Sequence, residues 1–314
     1  MIEAGLIVAR FLHYVAVTTL AGVSLFPLYA YPRGGGHEPK AVARRIQAVL
    51  FTASNAALLS GILWFFFTVA NMSGTLDGIL DREMLSMVLG ETSFGNVWIA
   101  RFVLSVMMIV SVWSRFDLTS SSRRDLIAPV LAAALLISLA GVGHSQVEEG
   151  VAGMVHVVSD TAHLLAAGAW LGGLVPLGLI LSSYGRDREV PPETEHLDPI
   201  LMRFSGMGYV AVAVLIASGL VNSWYLVGNI TALTTTRYGQ LLLVKVALFA
   251  GMLLLAVFNR FWLVPSMSKA RGQGAGSSFW TDRLRTHVVG EQFLGFMVLV
   301  IVSVLGTIRP AIGQ

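Results

Sequence analysis

The chain has 314 residues, 55% hydrophobic and only 12% charged, with a mean hydropathy of +0.73. A soluble domain carries about 25% charged residues, so this composition excludes a single water-soluble core and points to a bilayer as the solvent. The formal charge of +3 does not call for a nucleic-acid partner, and the absence of cysteine excludes disulfides, thiolate metal sites and cysteine catalysis.

A helix that crosses a bilayer needs about 20 apolar residues. Eight stretches qualify: residues 5–31, 44–70, 95–114, 126–143, 152–183, 200–228, 239–263 and 287–308. In the first, Arg10 interrupts an apolar run that continues too far for a signal peptide, so it reads as a span. The longest loops, 71–94 and 264–286, are too short for a domain, and Arg271 to Ser278 reads as a flexible linker. The expected fold is all-α: a polytopic membrane helix bundle of about eight spans forming one integral membrane domain, residues 1–314.

Basic residues orient the spans. The odd-numbered loops and their flanks hold fifteen: Arg33, Lys40, Arg44, Arg45, Arg115, Arg123, Arg124, Arg186, Arg188, Arg203, Arg260, Lys269, Arg271, Arg283 and Arg285. The even-numbered loops hold Arg82 and Arg237. Cytoplasmic loops collect Lys and Arg, so both termini are expected on the periplasmic or extracellular side. The loop from Gly143 to Gly150, with His144, Gln146, Glu148 and Glu149, then faces outward.

Ionisable residues inside spans are costly unless they meet a partner, a cavity or an ion. The candidates are His13 in the first span, Arg101 in the third, His156, Asp160 and His163 in the fifth, Lys245 in the seventh, and Glu291 in the eighth, with His287 one turn before it. Arg10, Arg101 and Lys245 sit toward outer helix ends, where long side chains snorkel. In the fifth span, spacings of four and three residues put His156, Asp160 and His163 on one stripe about 10 Å long. Trp170 continues it, and surrounding Ala and Gly permit close helix approach.

Imidazoles with a carboxylate suit an ion path, and imidazole suits copper, zinc, iron and nickel. Met154, Met72, Met107 and Met108 offer thioether donors compatible with copper. For each residue there is a plainer reading. His13 reads as a packing hydrogen bonder slightly more than as a ligand, His144 also as an interfacial loop residue, Lys245 as an ion-pair partner of Asp160, and Glu291 as a structural partner of a cation. The ligand reading is strongest for the fifth-span set.

The run from His156 through Asp160, His163 and Trp170 to Gly172-Gly173-Leu174 resembles the signature helix of the copper resistance protein D (CopD/PcoD) family. Gly143-His144, Arg203-Phe204-Ser205, Ser218-Gly219, Tyr238-Gly239 with Lys245, Asn259-Arg260 and Glu291 are similar to its pattern too. The resemblance is strongest over 140–308. It implies an eight-helix, non-enzymatic inner-membrane protein of copper homeostasis that moves copper across the cytoplasmic membrane, chiefly inward. It also implies a separate periplasmic copper-binding protein of the CopC kind, or none, because no region here has room for that fused domain. The expected metal residues are His144, His156, His163, Asp160 and His13, with Glu291 and Lys245 as proton or charge relay. No Walker A motif is present, so ATP cannot drive movement directly. Two other readings stay open: a b-type cytochrome with haem between His13 and His156 or His163, and a copper-binding partner in metalloenzyme assembly that moves no ion. The sequence leaves homo-oligomerisation open.

Overall fold

A computed structural model describes residues 1–32, 40–114, 126–143, 150–184, 197–272 and 278–313. It is all-helical throughout those residues. Seven helices are long and apolar enough to cross a membrane: α1 (Ile2–Ala30), α2 (Lys40–Ser73), α4 (Ser93–Trp113), the combined α6 (Gly150–Ala167) and α7 (Leu174–Tyr184), α8 (Leu197–Val227), the combined α10 (Arg237–Phe258) and α11 (Val264–Gly272), and α12 (Ser278–Leu305). Of the about eight spans expected, seven therefore have the length to cross, and the remaining stretch is shorter. The stretch 126–143 is a shorter apolar element, α5 (Ile127–Ile137) followed by a 3-10 turn at Ala140–Val142. Its sixteen residues rise about 24 Å as a helix, less than the ~30 Å of a bilayer core.

Two expected loops contain helices. Within 71–94 lies α3 (Arg82–Glu91), capped by the Asp81 carboxylate, which accepts from the backbone N–H of Glu83 and Met84. The Thr92 hydroxyl caps α4 in the same way, accepting from Gly95 at 2.9 Å. Between α8 and α10, Asn229 caps the short α9 (Ile230–Thr235) and Thr236 caps α10. The 264–286 stretch is helical at both ends, as α11 and the start of α12; residues 273–277 lie outside the described residues.

α1 is the central element. It touches α2, α5, α7, α8 and α12, so it belongs to both halves of the bundle. One apolar core joins it to α2, α4 and α5 around Leu20, Trp64, Trp98 and Leu135. A second joins its C-terminal end to α7, α8 and α12 around Phe26, Trp170, Leu181 and Phe204. The span begun by α10 lies at the perimeter, with Leu243, Val246 and Leu254 exposed, as expected for side chains that meet acyl tails.

Two spans are interrupted by π turns, at Gly168–Gly172 between α6 and α7 and at Asn259–Leu263 between α10 and α11. Such turns leave backbone groups unpaired within the helix. Tyr29 of α1 answers this at the first one by donating its hydroxyl to the Ala169 carbonyl at 2.8 Å. Tyr29→Phe is expected to destabilise the protein by about 1–3 kcal/mol, since the carbonyl loses its partner in a water-poor setting. A lowered unfolding temperature in detergent checks this; an unchanged one would mean that the bond carries no weight.

Candidate functional site

A cavity of about 420 Å³ lies between α1, α6, α8, α10 and α12. Its polar lining comprises Arg10, His156, Asp160, His163, Asn222 and Lys245, with Tyr238 beside them. Trp170 also lines it. The expected stripe on α6 thus borders the cavity along its length. Lys245, the expected relay residue, borders it from α10.

Hydrogen bonds fix the state of the two stripe histidines differently. The Ser218 hydroxyl donates its proton back to the Val214 carbonyl at 2.6 Å. His163 Nδ1 lies 2.9 Å from the same oxygen. With the hydroxyl turned to the carbonyl, Nδ1 carries the hydrogen and the Nε2 lone pair stays available. This is the tautomer that a metal-binding imidazole adopts when a neighbouring oxygen orients it. His156 is buried and stacks flat on Tyr225, with ring centroids 4.8 Å apart. Asp160 accepts from Asn222 Nδ2 at 3.3 Å. Its charge acts on Lys245 and on Tyr238, and the Lys245 charge acts on His163 as well.

His13 lies elsewhere. It is not part of the cavity lining. The Ser60 hydroxyl, which donates to the Ala56 carbonyl, takes up His13 Nδ1–H at 3.1 Å. Nε2 faces Arg101 Nη2, a donor. Both ring nitrogens are occupied, so no lone pair remains for a metal or a haem iron. Arg101 does not snorkel. It is buried, donates to Ser138 at 2.6 Å, and lies over Trp64 and Trp98. Arg10 also points inward, over Trp64 and onto the Gly306 carbonyl.

Glu291 is buried but stands apart from the stripe. It borders a smaller cavity of about 110 Å³, on which Trp170 also abuts. Its carboxylate accepts from Asn259 at 2.7 Å. His144, Gln146, Glu148 and Glu149 lie outside the described residues. Among the described residues, no group of three or more His, Asp or Glu is arranged to hold a metal ion. Ser218, Asn222, Tyr225, Tyr238 and Arg10 were not singled out as site residues from the sequence. The four-residue spacing of Ser218 and Asn222 in an apolar span was the available signal for two of them.

These features define a multi-pass membrane protein whose polar groups converge on an interior cavity. Residues 1–154 match the family described as copper resistance protein D-like, N-terminal domain, and residues 198–305 match copper resistance protein D. The stripe of α6 falls between the two matched stretches. The chain is 30% identical to inner membrane protein YebZ of Escherichia coli (strain K12) over 305 residues, 97% of this chain and 98% of that one. It is 30% identical to copper resistance protein D of Pseudomonas syringae pv. tomato over 307 residues, 97% of this chain and 96% of that one. It is 32% identical to copper transport protein CutJ of Bacillus subtilis (strain 168) over 266 residues, 82% of this chain but 46% of that protein. No solved structure matches the chain. The chain belongs to the copper resistance protein D family, and it is a multi-pass inner-membrane protein.

Proposed function

We propose that the protein carries copper across the inner membrane, inward, through the cavity bordered by His156, Asp160 and His163. Copper here is cargo. The observation that carries the reading is the His163–Ser218 bond, which holds one imidazole beside a partly buried carboxylate and a second histidine on the same cavity. The names of two relatives, a copper resistance protein and a copper transport protein, agree with it.

Lys245 borders the same cavity as Asp160, and each feels the other's charge. An entering copper ion competes with that ammonium for the carboxylate, so the cavity does not hold an unopposed negative charge in either state. Entry is from the outer side. Gly143 also borders the cavity, beside the Asp160 carboxylate, and His144 follows it in the chain. The short element Ile127–Val142 is an eighth crossing in this scheme, the bilayer thinning locally to match it, which puts both termini outside, in line with the basic residues. The donor is a separate periplasmic copper-binding protein of the CopC kind, and residues 1–314 act as one membrane unit.

The test is copper accumulation by vesicles containing only this purified protein, alongside metal analysis of the protein itself. Accumulation above that of protein-free vesicles is expected. Bound copper without accumulation would favour an assembly partner that moves no ion, and neither binding nor accumulation would refute the reading.

A further inference from the structure

We propose that Glu291 is a proton-exchanging site that couples proton movement to copper movement, on the far side of Trp170 from the copper cavity. This rests on the transport reading above and adds the coupling ion to it.

Glu291 sits midway along α12 and is 3% exposed. A carboxylate held charged at that depth is expected to have a cation beside it. Glu291 forms no ion pair among the described residues, and its hydrogen bond there is the one from Asn259 Nδ2. The charged and titratable groups around it are few. Arg260, from the π turn, turns its Nη1 to the Met202 sulfur at 3.0 Å. Tyr209 comes from α8. His287, one turn earlier on α12, packs on the Phe258 ring. From α7 and α11 the cavity lining is apolar, as Leu174, Leu177 and Val264.

Asn259 is the group that makes exchange feasible. It is buried, and its Oδ1 has no hydrogen-bond partner. With its Nδ2 towards Glu291, the amide donates to the carboxylate. Turned over, its Oδ1 would accept the O–H of the carboxylic acid. One side chain therefore serves both protonation states, leaving one amide atom unpaired in either case. A carboxylate kept permanently charged has no need of so neutral a partner.

The proton has a route. The cavity of about 110 Å³ has room for several waters at roughly 10–15 Å³ each, given polar groups to hold them. Ser205, Tyr209, Asn259 and Arg260 border it. The O–H bond of Glu291 breaks and a cavity water takes the proton; the reverse step reloads the carboxyl. Trp170 borders both cavities, so movement of its ring would link copper passage to the state of this site.

The experiment uses the full-length protein in vesicles with a pH-sensitive dye in the lumen and a copper gradient across the membrane. The wild type should show a lumenal pH change that follows copper entry. Glu291→Gln should reduce that change to the level of protein-free vesicles while its copper content on metal analysis stays that of the wild type. Copper entry without any pH change in the wild type, or an unaltered pH change in Glu291→Gln, overturns the proposal. A second readout separates its failure from failure of the transport reading. Infrared spectra across a pH series should contain a protonated-carboxyl stretch that titrates in the wild type and is missing in Glu291→Gln; its absence from the wild type overturns the proposal whether or not copper moves. Should Glu291→Gln not fold, Asn259→Leu must shift the pH at which that band appears, and an unshifted band overturns it.

Discussion

Vesicles carrying the His156→Ala, His163→Ala double variant are expected to accumulate no more copper than vesicles without protein. The two imidazoles are the nitrogen donors bordering the large cavity among the described residues. Without them the cavity offers a passing ion a carboxylate that already accepts from Asn222. Copper prefers imidazole to such an oxygen site, so the loss falls on the cargo more than on the fold. Truncating buried His156 does remove its stacking on Tyr225, worth about 1 kcal/mol, which the bundle should tolerate. His13→Ala makes the contrast. It strips Arg101 and Ser60 of a buried partner, so folded yield should fall by the equivalent of about 1–3 kcal/mol, while the folded fraction keeps its copper. Wild-type accumulation by the double variant would end the claim that copper passes along this stripe.

The contrast between these histidines shows where sequence reading stops. Both kinds lie in apolar helices and look alike in the chain. The stripe on α6 was legible because spacings of four and three residues are a local, helical fact. The fate of His13 depends on Arg101, 88 positions away, and on Ser60, and no local pattern reports that. The long spans were legible from hydropathy alone. α3 and α9 were missed because their signals are single capping residues, Asp81 and Asn229, set among loop-like neighbours. The π turns were invisible for a related reason: one residue more per turn leaves no mark on composition. Yet they hold Trp170 and Asn259, on which the separation of the two cavities and the pairing of Glu291 depend.

That separation bears on mechanism. His156, Asp160 and His163 border one cavity and Glu291 the other, and Trp170 borders both. A fixed channel would have no use for a bulky buried ring between them. An alternating carrier would, because one element must seal while the other side opens. The ring's placement is then as consequential as any ligand, and it is set by how the first π turn docks on α1.

Gly22→Val is therefore expected to leave little correctly folded protein. A Cβ built on Gly22 falls within the backbone of Gly172 and Gly173, and one built on Gly172 falls onto the Thr18 carbonyl and the Gly22 backbone. Backbone meets backbone, so no flexible side chain can give way. Overpacking usually costs about 1–3 kcal/mol, and with both partners rigid the upper end or beyond is expected. The same change at Gly206 of α8, where nothing lies within 4 Å, should alter yield little. Folded yield from the membrane and a single symmetric gel-filtration peak report the outcome. A Gly22→Val protein that elutes and transports as the wild type would show that α1 does not fix the π turn. A milder Gly22→Ala variant that folds but separates its helices should lose transport before it loses stability, because a small shift of the turn moves Trp170 while leaving both hydrophobic cores largely filled.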